Sequence, residues 1–368
     1  MARLQQAAKG LYVVPCGYIK VFVGVSQLQK HCECQSDGFC PRYGKDVRGR
    51  MREICQGVNV DPGEAANLRA LWRMDGKPSP VGQIAKPLIL KMHLNHGDAL
   101  VMTAAIYSLH RSHPGRFLTA ADTGSNDLFY GNPDVIQIDL ARKLGATELQ
   151  MHYPAIHQSN ERGIHFMQAM CEHVGEALGI YVPLMTNRPC IYLRDGEKMK
   201  TVRPMWLVNA GYTDQFSAKW WGSENYQSVV TSLAGKITFI QVGDKSDTHP
   251  RLNGVIDMRG ETNLRQLAAL VESSAGVLCG LTLLMHMAAA FEKPAVIVAG
   301  GREPGQWNAY PYQHLLHTVG NLDCCKSAPC WKSTVNGDNH CTNVSAGLPM
   351  CMRKITPQEV ADKILFCS

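Results

Sequence analysis

No part of this 368-residue sequence is apolar over a length that spans a bilayer, because its most apolar stretches are short and broken by Gly, Pro or charge. No cleaved leader is read at the start either. The opening MARLQQAAKGLYVV carries basic residues, but Pro15, Gly17 and Lys20 interrupt its apolar part. Together these absences predict a soluble, cytoplasmic protein. There is no long basic run of the kind that tracks a nucleic-acid backbone, and the net charge of +6 suits a compact anionic group such as a diphosphate. Solenoid-type repeats and low-complexity segments are absent too.

What the chain has in excess is cysteine, 14 in all. Four lie between Cys32 and Cys55 and five between Cys324 and Cys351. In a reducing compartment, clustered cysteines point to metal rather than to disulfides. The C-terminal group offers Cys325, Cys330, Cys341 and Cys351 as a four-thiolate set, with Cys324 competing for the place of Cys325. Four thiolates set tetrahedrally suit iron or zinc. The N-terminal group offers Cys32, Cys34, Cys40 and Cys55, with His31 in reserve. The alternative for both groups is free buried cysteine.

The hydrophobic pattern predicts an α/β protein. Residues 1–86 read as an extension holding an apolar, β-rich run (Tyr18 to Val25), the first cysteine group, a helix over 63–74 and a Pro-rich linker. A strand at Leu88 to Leu90, a loop MHLNHGD and a helix from Ala99 to His110 then open a parallel sheet. Strands are expected at RFLTAA (116–121) and VIQIDL (135–140), with a helix over 162–180 closing this half. A second strand–helix series runs from MWLVNAG (205–211) to PAVIVAGG (294–301). Two such series predict doubly wound sheets, with a ligand site in the cleft between them at the carboxyl ends of strands. The expected divisions are 1–86, 87–200, 201–320, and 321–368, the last a cysteine finger with a C-terminal helix.

Three segments carry candidate chemistry. In HGDALVMTAA, Asp98 sits between a strand and its helix, where a carboxylate either takes a proton from a hydroxyl or caps the helix. In NAGYTDQFSAKWWGSENY, Lys219 is carried by a polar loop to a helix start, where it either neutralises a departing diphosphate or is an ordinary surface lysine. In CGLTLLMHMAAAFEKP, Gly280, Leu281 and Thr282 join a strand to a helix whose free N–H groups and dipole favour an anion. The alternative is a plain turn. His286, inside that helix, is either a core histidine or part of the site.

Together these segments resemble glycosyltransferase family 9, the ADP-heptose heptosyltransferases, from residue 87 to residue 320. Gly97, Asp98, Thr103, Ala105, Ile106 and Leu109 match its opening motif. Lys219 with Trp220 matches a lysine before a Trp pair, and Gly260, Thr262 and Leu264 match a G-x-T-x-L turn. Gly280, Thr282, Met285, His286, Ala288 to Ala290, Lys293 and Pro294 match the closing helix and strand. The resemblance implies the two-lobed GT-B fold with an acceptor lobe before a donor lobe, and inverting transfer without a catalytic metal. It implies Asp98 as base and Lys219 at the leaving group, with Thr262, Leu264, Gly280, Leu281, Thr282, Met285 and His286 around an ADP-heptose-like donor.

One departure stands out. Many lipopolysaccharide heptosyltransferases have Asp-Ser-Gly or Asp-Thr-Gly where this chain has Gly280, Leu281 and Thr282. The form here is closer to the branch that glycosylates autotransporter proteins and carries a C-terminal cysteine metal finger. Acceptors left open are a protein hydroxyl, a lipopolysaccharide core sugar and a hydroxymethylated DNA base, with a homo-oligomer also expected. The competing reading is a non-catalytic transferase fold that binds nucleic acid or protein through its cysteine fingers.

Overall fold

The computed structural model describes residues 85–368, apart from residue 157 and residues 200–203, and the backbone of three short strands earlier in the chain. Those strands, β1 (Gln5–Ala7), β2 (Leu11–Pro15) and β3 (Lys20–Gly24), form an antiparallel sheet in that order. The helix expected over 63–74, the linker after it, and Cys32, Cys34, Cys40, Cys55 and His31 lie outside the described residues. The chain divides into two compact units. One is Met1–His93 with Ile106–Met151, the other Leu94–Ala105 with His152–Ser368.

In the first unit β4 (Lys86–Met92) lies between β5 (Phe117–Thr123) and β6 (Thr147–Gln150), parallel to both. Its Leu88, Ile89 and Leu90 are all buried, as the continuous apolar run of a central parallel strand requires. Helix α1 (His96–Ser112) begins among residues of the second unit and ends among those of the first. The strand expected over 135–140 does not form. Val135 makes a lone parallel bridge to Thr119, the Ile136 N–H donates to the Thr119 carbonyl at 2.8 Å, and the chain then winds into α2 (Ile138–Lys143). Ala141 of α2 packs with Ile89, Ala120 and Ile136 in a small core. The strand beside β4 is instead Thr147–Gln150, a mostly exposed edge with little apolar signal.

The second unit holds a six-stranded, all-parallel sheet in the order β12-β11-β10-β7-β8-β9. Ahead of it, the single helix expected over 162–180 is two, α3 (Ser159–Arg162) and α4 (Phe166–Leu178). Gly163 breaks the chain between them at φ 59°. The strands are β7 (Met205–Val208), β8 (Thr238–Gln241), β9 (Ile256–Asp257), β10 (Gly276–Gly280), β11 (Ala295–Gly300) and β12 (Gln313–His317). Helices α5 (Ser223–Ser232), α6 (Leu264–Ser273) and α7 (Leu283–Ala290) make the crossovers. Helix α6 starts on a reciprocal capping box between Asn263 and Gln266.

From β7 the chain builds outward to β8 and β9, then returns on the other side of β7 as β10. Strand order therefore reverses between β7 and β10, the place where parallel sheets bind ligands beyond their carboxyl ends. The short helix α8 (Gly305–Asn308) follows β11. The last residues then form the hairpin β13 (Val344–Ser345) and β14 (Leu348–Pro349), followed by α9 (Met350–Arg353) and α10 (Pro357–Cys367). Met352, Ile355, Val360, Ala361 and Ile364 join Trp206, Val208, Tyr226 and Leu278 in one core. The indole N–H of Trp221 donates to the Ile355 carbonyl at 2.9 Å. No helix of the described residues is long and apolar enough to cross a membrane.

Candidate active site

Asp98 is not in a loop, as expected, but in the first turn of α1. Its Oδ2 accepts the Asn95 N–H at 3.0 Å, which makes it a cap, and also the Tyr153 hydroxyl at 2.7 Å. Only 8% of Asp98 is exposed. Burial pushes its carboxyl above the usual range, against the pull of Tyr153, Asn95 and Lys219, while Glu303 adds to the rise. One carboxylate thus caps α1 and is buried beside Tyr153. A dry carboxylate with raised proton affinity, held rigidly through Oδ2, is a better base than an exposed one.

Lys219 closes a 3-10 segment, Asp214–Lys219, and is no free surface lysine. Its Nζ lies 2.7 Å from Glu303 Oε1. Burial lowers its proton affinity and the Glu303 carboxylate raises it again. Glu303 lies in the turn after β11 and is 6% exposed. Burial works against its charge, but Lys219, Arg302 and the Asn308 amide hold it ionised, at about 2. The Asn308 Nδ2 donates to Oε2 at 2.6 Å, and Arg302 donates to Oε1. Asp98 feels both members of this pair.

The turn after β10 lies against the lysine, since a Cβ on Gly280 would stand 3.5 Å from the Lys219 carbonyl oxygen. Thr282 has the extended backbone of an N-cap, but its side chain makes no capping bond. The buried His286 pairs Nδ1 with the Tyr310 hydroxyl at 2.8 Å. Burial, with His165 and Lys219 nearby, pushes it down to about 3, so it is neutral. Gly97 lets α1 approach this ring: a Cβ there would lie 3.1 Å from His286 Cδ2. One place thus joins Asp98, Lys219, Glu303, His286 and the start of α7, a helix that aims its first N–H groups outward.

Residues 192–336 match the model of glycosyltransferase family 9 (heptosyltransferase). The similarity to that family covers residues 192–336. Solved structures agree on the fold. The iron-containing dodecameric glycosyltransferase TibC of enterotoxigenic E. coli has a TM-score of 0.57 at 16% identity, over 80% of this chain and 81% of that one. A family 9 glycosyltransferase from Veillonella parvula gives 0.56 at 13% identity, over 77% of this chain and 97% of that one. TibC in complex with ADP-D-beta-D-heptose gives 0.56 at 15% identity, over 80% of each chain. No curated protein matches the chain. The fold is accordingly the α/β fold of GT-B-type glycosyltransferases.

Within the matched residues, Gly280, Leu281 and Thr282 stand at the strand-order reversal. Met285 is a core residue whose carbonyl accepts the Gln313 amide at 2.8 Å. Thr262 lies on the turn from β9 into α6 and Leu264 opens that helix, and no hydrogen bond joins either to Asp98, Lys219 or His286 among the described residues. The sequence reading missed Glu303, Tyr153 and Arg302. Only Glu303 left a signal, as a carboxylate just past the end of a core strand.

The C-terminal cysteines need a correction. Among the described residues no three His, Cys, Asp or Glu side chains are grouped to hold a metal ion. Cys325 in particular turns inward, its thiol donating to the Thr318 carbonyl at 3.5 Å. A Cβ on Gly301 would stand 3.0 Å from its Sγ, so the sulfur is wedged against the turn after β11. Cys324 takes the outward place: Cys341 interacts with Cys330 and Cys324, and Cys351 with Cys341 and Cys330. Burial, reinforced by these neighbours, pushes the Cys351 thiol up to about 11.

Proposed function

We propose that the protein is an inverting glycosyltransferase that moves a heptose-like sugar from a nucleotide-diphosphate donor to an acceptor hydroxyl. One observation carries this reading: a buried carboxylate, Asp98, and an ion pair between the partly buried Lys219 and the buried Glu303 share one electrostatic environment beside the start of α7. The acceptor O–H gives its proton to Asp98 as its oxygen bonds to the anomeric carbon. The bond from that carbon to the diphosphate breaks, and the diphosphate leaves with the electron pair. Lys219 and the free N–H groups of α7 stabilise the leaving charge. The ADP-heptose bound by TibC supports an ADP-heptose-like donor, and the same base serves a protein, lipopolysaccharide or modified-DNA hydroxyl.

The test is transfer from ADP-heptose to each acceptor class by wild type and by Asp98→Asn. Turnover should fall about a hundredfold or more while donor affinity holds. Wild-type turnover in the variant would leave Asp98 as a cap alone.

A structural metal and a homo-oligomer belong to the same proposal, supported by the iron-containing, dodecameric TibC. The donor set is Cys324, Cys330, Cys341 and Cys351, which must rotate toward a common centre and lose their protons to bind. Four thiolates leave no open position for chemistry, so the metal's part is to brace the loop. Elemental analysis of Cys324→Ser against Cys325→Ser checks the set: only the first should lose metal.

A further inference from the structure

The loop between Cys330 and Val335 reaches both members of the Lys219–Glu303 pair from behind. On the lysine side, the Ala218 N–H donates to the Ser333 carbonyl at 3.0 Å, and the Val335 N–H donates to Ser217 Oγ at 3.1 Å. Ser217 and Ala218 immediately precede Lys219. On the glutamate side, the Trp331 N–H donates to the Arg302 carbonyl at 3.0 Å, and Arg302 Nε donates to the Lys332 carbonyl at 2.6 Å. Arg302 in turn donates to Glu303.

Stacking reinforces the same geometry. The Arg302 guanidinium lies 5.5 Å from the centres of both the Phe216 and the Trp331 rings, and Lys219 Nζ lies 5.1 Å from Phe216. Trp331 is held in the left-handed region at φ 52°, and its indole N–H donates to Asn160 Oδ1 at 3.0 Å. Its ring meets Trp307 edge-on at 6.3 Å, and Trp307 stacks on Phe166 at 4.9 Å. A non-glycine residue kept in that conformation implies surroundings that fix it.

We infer that the segment from Cys330 to Val335 is a positioning clamp: through Ser217, Ala218 and Arg302 it sets where the Lys219 ammonium stands relative to Glu303. Arg302, Ser217 and Trp331 are positioning residues, acting through Lys219. Their catalytic consequence rests on the reading of Lys219 as the leaving-group cation, since displacing a catalytic group by about 1 Å costs on the order of a hundredfold in rate.

The test uses Ser217→Ala, which removes the acceptor for Val335, and Arg302→Lys, which keeps charge but loses the planar fork. Competitive acetylation of the intact protein, read peptide by peptide, needs no ligand. Lys219 should label at least severalfold faster in both variants relative to the exposed Lys236 and Lys245, while the buried Cys279 stays unreactive to alkylation. Unchanged Lys219 labelling in both variants would overturn the clamp. So would Cys279 reacting together with Lys219, which marks general loosening.

With ADP-heptose, kcat/KM for the donor should fall in each variant, and Lys219→Ala should absorb the effect, the double variant being no worse than Lys219→Ala alone. Additive losses count against the clamp. If Lys219→Ala itself transfers sugar normally, the functional reading fails and the labelling result still decides the clamp.

Discussion

At the scale of single residues, Asp98 and Glu303 are both dry, and their surroundings move them in opposite directions. Glu303 is depressed to about 2, so it contributes stability above its unfolded value of 4.5 that is lost as pH falls through about 2. Asp98 is raised above 3.8, so its contribution is present below that value and lost as pH rises through its folded pKa. Ionised Asp98 is thus held at a cost to stability, which fits a base kept for reaction. Activity should fall on the acid side at a pH above the ordinary carboxylate range. Tyr153→Phe removes a bond that favours the carboxylate, so the acid limb of kcat should move to higher pH, and a pH–rate profile reads this directly. Glu303→Gln leaves the partly buried Lys219 ammonium without its ion-pair partner. Stability should drop by about 1–3 kcal/mol, measurable by denaturant unfolding, and Lys219 should more readily lose its proton. Asp98 stood out in the sequence as a carboxylate at a strand-to-helix junction, where a base and a cap were both open readings. Tyr153 did not, because the 55 residues separating it from Asp98 close only in the fold.

At the scale of elements, two helices meet at a glycine. Gly97 in α1 faces His286 in α7 so closely that a further carbon would stand 3.1 Å from the ring. Gly97→Ala should push the ring or the helix by a few tenths of an ångström, cost about 1–3 kcal/mol, and reduce turnover with it. Thermal unfolding beside steady-state kinetics checks both. Strands β7, β8, β10 and β11 were legible because each is a short apolar run bounded by glycine or polar turns, whereas β9, two residues long, and β12, with the polar sequence QHLLH, were missed. β6 was missed too: its residues TELQ have an edge strand's exposure, and pairing to β4 rather than burial holds them. VIQIDL misled for the opposite reason. Its apolar residues serve a bridge at Val135 and then a helix face at Ile138 and Leu140, and over so short a run the two periods look alike.

At the scale of the whole molecule, a match over residues 192–336 does not mark a folding boundary. Val360, Ala361 and Ile364 are buried against the same core as Trp206 and Val208 of β7. A chain ending at residue 336 should therefore lack cooperative unfolding, which calorimetry would show, while the chain through residue 368 keeps it. That closure has a consequence for how the protein is made. Met205 leaves the ribosome well before Ile364, about 8–30 s earlier at ordinary elongation rates of about 5–20 residues/s. Throughout that interval β7 and α5 are synthesised without the helix that covers them. Their apolar faces are then open to chaperones or to neighbouring nascent chains, and the yield of folded protein should depend on who reaches them first.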